Sequence, residues 1–119
     1  MRGVSVTFLE LEPLLARLRE RAQQLLVANP RVRKVVLFGS LVRGNFCPGS
    51  DADLLIVLED DPRRFIDRIP EFLAHFGGLG LAVDVFPYTA AEIEAMRHQG
   101  LVKTALAEGR VLARRHAAG

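Results

Sequence analysis

The sequence predicts an α/β fold: a short sheet flanked by helices, in a single domain over residues 1–119. Three observations carry this. Short β-branched or apolar runs recur at 34–38, 54–58 and 81–86, each of the length expected for a strand buried on both faces. The segments between and around them show helical periodicity. A chain of 119 residues supports one hydrophobic core and leaves little over for a second.

The first helix is read from Phe8, Leu11, Leu15, Leu18, Ala22 and Leu25, which recur at three- and four-residue steps. Thr7 and Glu10 have the spacing of its capping box, and Asn29 with Pro30 ends it. The first strand, Lys34 to Phe38, stops at Gly39, and the second covers Leu54 to Leu58. An acidic turn, Glu59 to Pro62, opens a helix carrying Phe65, Ile66, Ile69, Phe72, Leu73 and Phe76. Pro70 inside it predicts a kink or a division into two short helices. Gly77, Gly78 and Gly80 mark a turn before the third strand, Leu81 to Phe86. Thr89 and Glu92 form a second capping box, Gly100 interrupts the helical segment that follows, and Gly109 ends it before a short strand at Val111 and Leu112. These C-terminal helices are expected to cover the sheet.

Composition excludes several classes. Half the residues are apolar and a quarter are charged, the balance of a folded globular chain. No apolar run reaches the roughly 20 residues that span a bilayer, and the N-terminus lacks a signal-peptide pattern, so no membrane partner is expected and the chain reads as cytoplasmic. Cys47 is the sole cysteine, which rules out an internal disulfide and leaves a structural zinc site without its usual thiolates. The formal net charge of +2 does not give the dense basic footprint of a dedicated nucleic-acid binder, so nucleic acid is not the expected partner, although the arginine-rich surface suits local attraction of phosphates and charge alone decides nothing. Basic residues cluster at Arg31, Arg33 and Lys34 and again at Arg110, Arg114 and Arg115, and each cluster reads as solvated surface.

Chemistry concentrates between the first two strands. Gly39, at a strand end, lets the backbone turn sharply and approach a ligand, and Ser40 is placed to cap a following helix and donate its hydroxyl. Free amides at that helix start suit the phosphates of a nucleoside triphosphate, and Arg43, one turn on, either reaches the same phosphates or anchors the loop. Asp51 and Asp53 are two apart, so on an extended strand their carboxylates project from one face. Such a pair of hard oxygen donors favours magnesium, which keeps part of its water shell and takes substrate phosphates as ligands. Asp84 interrupts the apolar run from Leu81 to Phe86 and supplies a third carboxylate. An isolated charge in a buried strand is costly unless it is paired or metal-bound. Each piece also has a plain structural reading. Gly39-Ser40 alone is a strand-to-helix turn, Asp51 a turn residue, Asp53 a loop cap, and Asp84 the partner of an arginine such as Arg43.

Other motifs fail. Asn45 and Phe46 stand where a Walker loop needs Lys and Ser or Thr, and Gly77, Gly78 and Gly80 precede a strand rather than follow one. His75, His98 and His116 are too scattered for a zinc helix motif, Cys47 reads as packing, and Tyr88 reads as packing rather than as a base-stacking group.

The constellation resembles the nucleotidyltransferase superfamily that includes DNA polymerase beta, and within it the minimal nucleotidyltransferases (MNT) found as antitoxins beside HEPN-domain toxins. The pattern is Gly-Ser, ten residues, then Asp-x-Asp, met by Gly39-Ser40 and Asp51-Ala52-Asp53. Arg43-Gly44 and Ser50 fit accessory positions, and Asp84 fits the later strand aspartate. The resemblance implies a nucleotidyltransferase fold with a short mixed sheet. It also implies two magnesium ions held by Asp51 and Asp53, with Asp84 joining one of them beside the acceptor hydroxyl. Gly39, Ser40, Arg43 and Ser50 would bind the nucleotide. The implied reaction moves a nucleoside monophosphate, AMP, from ATP or another triphosphate to a hydroxyl of a partner HEPN-type toxin. Two alternatives stand beside it: a non-catalytic antitoxin-like binding subunit, and a nucleotidyltransferase for a small molecule or RNA whose acceptor site is completed in a homo-oligomer.

Overall fold

The computed structural model describes residues 8–39, 42 and 52–116. Helix α1 (Phe8–Ala28) leads into strand β1 (Val32–Phe38), and strand β2 (Ala52–Leu58) is followed by helix α2 (Phe65–His75) and strand β3 (Val83–Thr89). Helices α3 (Ala90–Met96) and α4 (Gly100–Glu108) and strand β4 (Arg110–Arg114) complete the chain order. The strands form a mixed sheet in the order β3-β2-β1-β4. β1 lies antiparallel to both β2 and β4, and β2 lies parallel to β3. The expected class, an α/β fold with a short mixed sheet between helices, is the one observed.

β2 reads as an unbroken apolar run because both its faces are covered. Leu54, Ile56 and Leu58 pack with Leu14, Leu15, Leu18, Ala22 and Leu25 of α1 and Phe72 of α2, whereas Leu55 and Val57 pack on the other face with Ala105 and Leu101 of α4. Parallel pairing with β3 requires this two-sided cover. The C-terminal helices therefore do cover the sheet, though Leu106 and Val111 remain exposed at 42% and 37%.

Several boundaries differ from expectation. α2 runs unbroken through Pro70. In its short first half the proline leaves only one carbonyl without its helical donor. β3 starts later than expected and continues through Pro87, which an edge strand tolerates because one row of its backbone groups has no ladder partner among the described residues. The Thr89–Glu92 capping box is present, whereas Thr7, expected to cap α1, lies outside the described residues. Asn29 closes α1 by accepting from the Arg31 amide at 3.0 Å. His75 Nε2 donates to the Arg21 carbonyl, 2.7 Å away, and Tyr88 stacks on Phe65 at 4.5 Å, both structural roles. Among the described residues no helix is long and apolar enough to cross a membrane.

The acidic turn before α2 is more than a turn. Asp61 is buried and accepts from the Arg63 amide at 2.9 Å and from its guanidinium at 2.7 Å. The Arg63 guanidinium holds the carboxyl down from its ordinary 3.8 to about 2, against the upward push of burial. A folded pKa below the unfolded one adds stability above the unfolded value, and that stability is lost as pH falls from about 4 to about 2. Asp61→Asn is expected to cost about 2 kcal/mol at neutral pH in urea unfolding, with the deficit shrinking across that acid window.

Candidate active site

The site is built where β1 ends and β2 and β3 begin. Phe38 is the partner of Asp53 across β1 and β2, and Asp53 is the partner of Asp84 across β2 and β3. Neighbours in register share a face, so Phe38, Asp53 and Asp84 form one row across three strands, on the side covered by α3 and α4. Strand spacing places the two aspartates about 5 Å apart at their Cα atoms. Parallel pairing thus brings together two like-charged groups that the sequence keeps well apart, an arrangement that a cation between them stabilises.

Gly39 follows with φ of +91°, in the region that side-chain-bearing residues rarely adopt. A Cβ there would overlap Asp53 Oδ2 and sit 3.3 Å from its Cγ. The glycine is therefore required twice, once for the turn and once so that the Asp53 carboxylate can lie against the backbone. Gly39→Ala should force that carboxylate aside and strain the turn, at a cost of about 1–3 kcal/mol in stability. Gly78→Ala is its control: Gly78 also has positive φ, but open space surrounds its Cβ position, so only the conformational cost applies. Urea unfolding of both variants is the check, with the larger loss expected for Gly39→Ala.

Asp84 corrects one expectation. It is exposed at the start of an edge strand rather than buried within one, so its position needs no pairing to offset desolvation. The exposure leaves it open to a ligand arriving from solvent. Asp51, Ser40, Arg43 and Ser50 lie outside the described residues, as do Gly44 and Cys47; Val42 is helical and packs against the core. Among the described residues no group of three or more His, Cys, Asp or Glu side chains converges, and the carboxylates brought together here are Asp53 and Asp84.

Sequence reasoning missed the support behind the row. Arg68 of α2 is 3% exposed. Its guanidinium donates to Glu92 at 2.7 and 3.1 Å, to the Pro87 carbonyl at 3.1 Å and to the Asp61 carbonyl at 3.1 Å, while Nε donates to the Arg63 carbonyl at 3.0 Å. Glu92 in turn caps α3 through the Thr89 amide at 2.8 Å. Arg68 holds the Glu92 carboxyl below its usual range, with burial opposing. One buried cation thus ties α2, the end of β3 and the start of α3 together, fixing the strand that carries Asp84. The signal was present: Arg68 falls three after Phe65 and four before Phe72, a cation on the apolar stripe of its helix.

Known proteins share this architecture. The model of the nucleotidyltransferase domain family matches residues 15–112. A Methanocaldococcus jannaschii protein named as a candidate protein adenylyltransferase is 40% identical over 47 residues. That stretch is 40% of this chain and 47% of the relative, so the match spans about half the relative's length. A crystal structure of a candidate nucleotidyltransferase from Sulfolobus solfataricus superposes with a TM-score of 0.68 at 19% identity, covering 97% of this chain and 93% of that one. A toxin–antitoxin structure with AMP-PNP superposes at 0.52 with 20% identity, covering 82% and 73%. At these identities the structural likenesses concern the fold.

Proposed function

The chain belongs to the nucleotidyltransferase domain family, and from that premise we propose that it is a magnesium-dependent enzyme that moves AMP from ATP to a hydroxyl of a partner protein. The observation that carries the reading is the register pairing of Asp53 with Asp84 beside the positive-φ Gly39. Two carboxylates on neighbouring strands of a rigid sheet, next to a backbone free of a side chain, fit a metal nucleotide better than they fit a structural ion pair.

In this reading Asp53 and Asp84, with Asp51, hold the magnesium. When bound, it neutralises the phosphates and favours departure of pyrophosphate. Gly39 and Ser40 cradle the phosphates through backbone amides and a hydroxyl, and Arg43 and Ser50 add contacts to the nucleotide. The acceptor oxygen attacks the α-phosphorus, the bond from that phosphorus to the β-phosphate bridge breaks, and pyrophosphate leaves. The hydroxyl proton passes to Asp84, which is exposed where an incoming acceptor would arrive.

A protein acceptor is favoured by the relative named as a candidate protein adenylyltransferase. The further reading, that the acceptor is a HEPN-type toxin and this chain its antitoxin, draws on the likeness to toxin–antitoxin structures, among them a mutant of the MntA–HpeT pair at a TM-score of 0.52 and 17% identity. Label transfer tests both. Purified protein with magnesium and α-labelled ATP in a lysate of the source organism should label a protease-sensitive species, and a chelator should abolish it. A ribonuclease-sensitive product would shift the acceptor to RNA. No labelled species with any of the four triphosphates would sink the enzymatic reading and leave the binding subunit.

A further inference from the structure

The two basic clusters, far apart in sequence, meet at the end of the sheet opposite the Asp53–Asp84 row. Lys34 and Arg114 are partners across β1 and β4. Arg33, Lys34, Arg114 and Arg115, with Val57 and Ala90, line an open groove of about 350 Å³. Two of these cations are already engaged. Arg33 lies 3.8 Å from Glu59, and Arg115 donates to the carbonyls of Val32 at 3.1 Å and Asn29 at 3.2 Å and to that of Leu26. The side chains of Lys34 and Arg114 have no hydrogen bond or ion pair among the described residues.

Beside this pair, β4 ends the strand order, and among the described residues no strand pairs with its outer edge. Val111 pairs with Val36 as Arg114 pairs with Lys34, so both project on one face, and Val111 is 37% exposed. An open edge with unpaired amides and carbonyls is a template for an added strand. On this face Arg114 of the edge and Lys34 of β1 beside it present two cations, followed by an apolar contact at Val111.

We infer that this edge docks an extended acidic segment of a partner protein, which adds to β4 as a further strand with its carboxylates on Lys34 and Arg114 and an apolar residue against Val111. Self-pairing of two copies is disfavoured, because Arg110, Arg114 and Arg115 would meet cations of the same sign. Single-stranded nucleic acid is disfavoured because, among the described residues, no aromatic ring lines the groove to stack a base. The inference stands apart from nucleotidyl transfer, and its test contains neither nucleotide nor metal, so each reading fails separately.

The test is fluorescence anisotropy at low salt with a short labelled peptide of Glu residues and one central Leu, beside an oligouridylate of equal charge. The peptide should bind, and Lys34→Glu with Arg114→Glu should weaken it by about tenfold or more. Amide exchange across residues 110–114 should slow when peptide is added. Absent binding, affinity unchanged in the double variant, unslowed exchange along β4, or tighter oligouridylate binding through the same residues would each overturn the proposal. Lys34 is half-buried and Arg114 exposed. Should charge reversal lower the melting temperature, Lys34→Gln with Arg114→Gln is expected to keep the same order of affinities.

Discussion

Asp53→Asn is expected to lower nucleotidyl transfer by at least about 10³-fold while leaving the fold in place. The side chain keeps its shape and loses its charge. Asp53 sits between Phe38 and Asp84 in the sheet register, so the amide occupies the space the carboxylate left without disturbing either neighbour strand. A neutral oxygen is a poor ligand for a hard dication, and removing one of two adjacent like charges relieves repulsion in the metal-free protein. Transfer should therefore collapse while the melting temperature changes by only a few degrees. Single-turnover label transfer at saturating ATP, with a thermal melt of the same preparation, measures both. A variant that keeps a tenth of wild-type transfer would remove Asp53 from the chemistry.

Arg68→Met is expected to cost about 3 kcal/mol in urea unfolding at neutral pH, the largest stability effect among the charged residues described. The methionine fills much of the volume but donates nothing, so the carbonyls of Asp61, Arg63 and Pro87 lose donors together and Glu92 loses its cation. Deleting one partner of such a cluster leaves the others desolvated and unmatched, which costs more than the cluster contributes net. Adding Glu92→Met should recover part of the loss, and the difference between single and double variants measures the coupling of Arg68 to Glu92. Strict additivity of the two substitutions would show that the guanidinium acts on the carbonyls alone.

The strands were legible because β1 and β2 are buried on both faces, and a short continuous apolar run such as Leu54 to Leu58 suits a two-sided strand better than one face of a helix. The Thr89–Glu92 cap was legible because both halves of the device lie within one turn of chain. Strand ends were less so. β3 continues through Pro87 because it lies at a sheet edge, and edge position is a property of the assembled sheet. The same reason separates Asp53 from Asp84 in the reading. Asp53 could be placed from its local pattern, whereas the burial assumed for Asp84 depended on which strand would flank it. Arg68 escaped notice because a charge on an apolar stripe declares itself only when its partners, on β3 and α3, are known. The two basic clusters likewise read as separate solvated surfaces until the pairing of β1 with β4 joined them.

The parallel pairing of β2 with β3 also governs when the site comes into being. The thirty residues between Asp53 and Asp84 must be looped through α2 before the row exists. No hairpin or isolated helix contains it, so it is absent from any partly folded form in which β3 has not joined the sheet. A newly made chain would bring Asp53 and Asp84, the proposed metal ligands, together at the same moment as it reaches its native topology. Cation affinity would then track completed folding, and chains still searching for their register would be kept from premature chemistry.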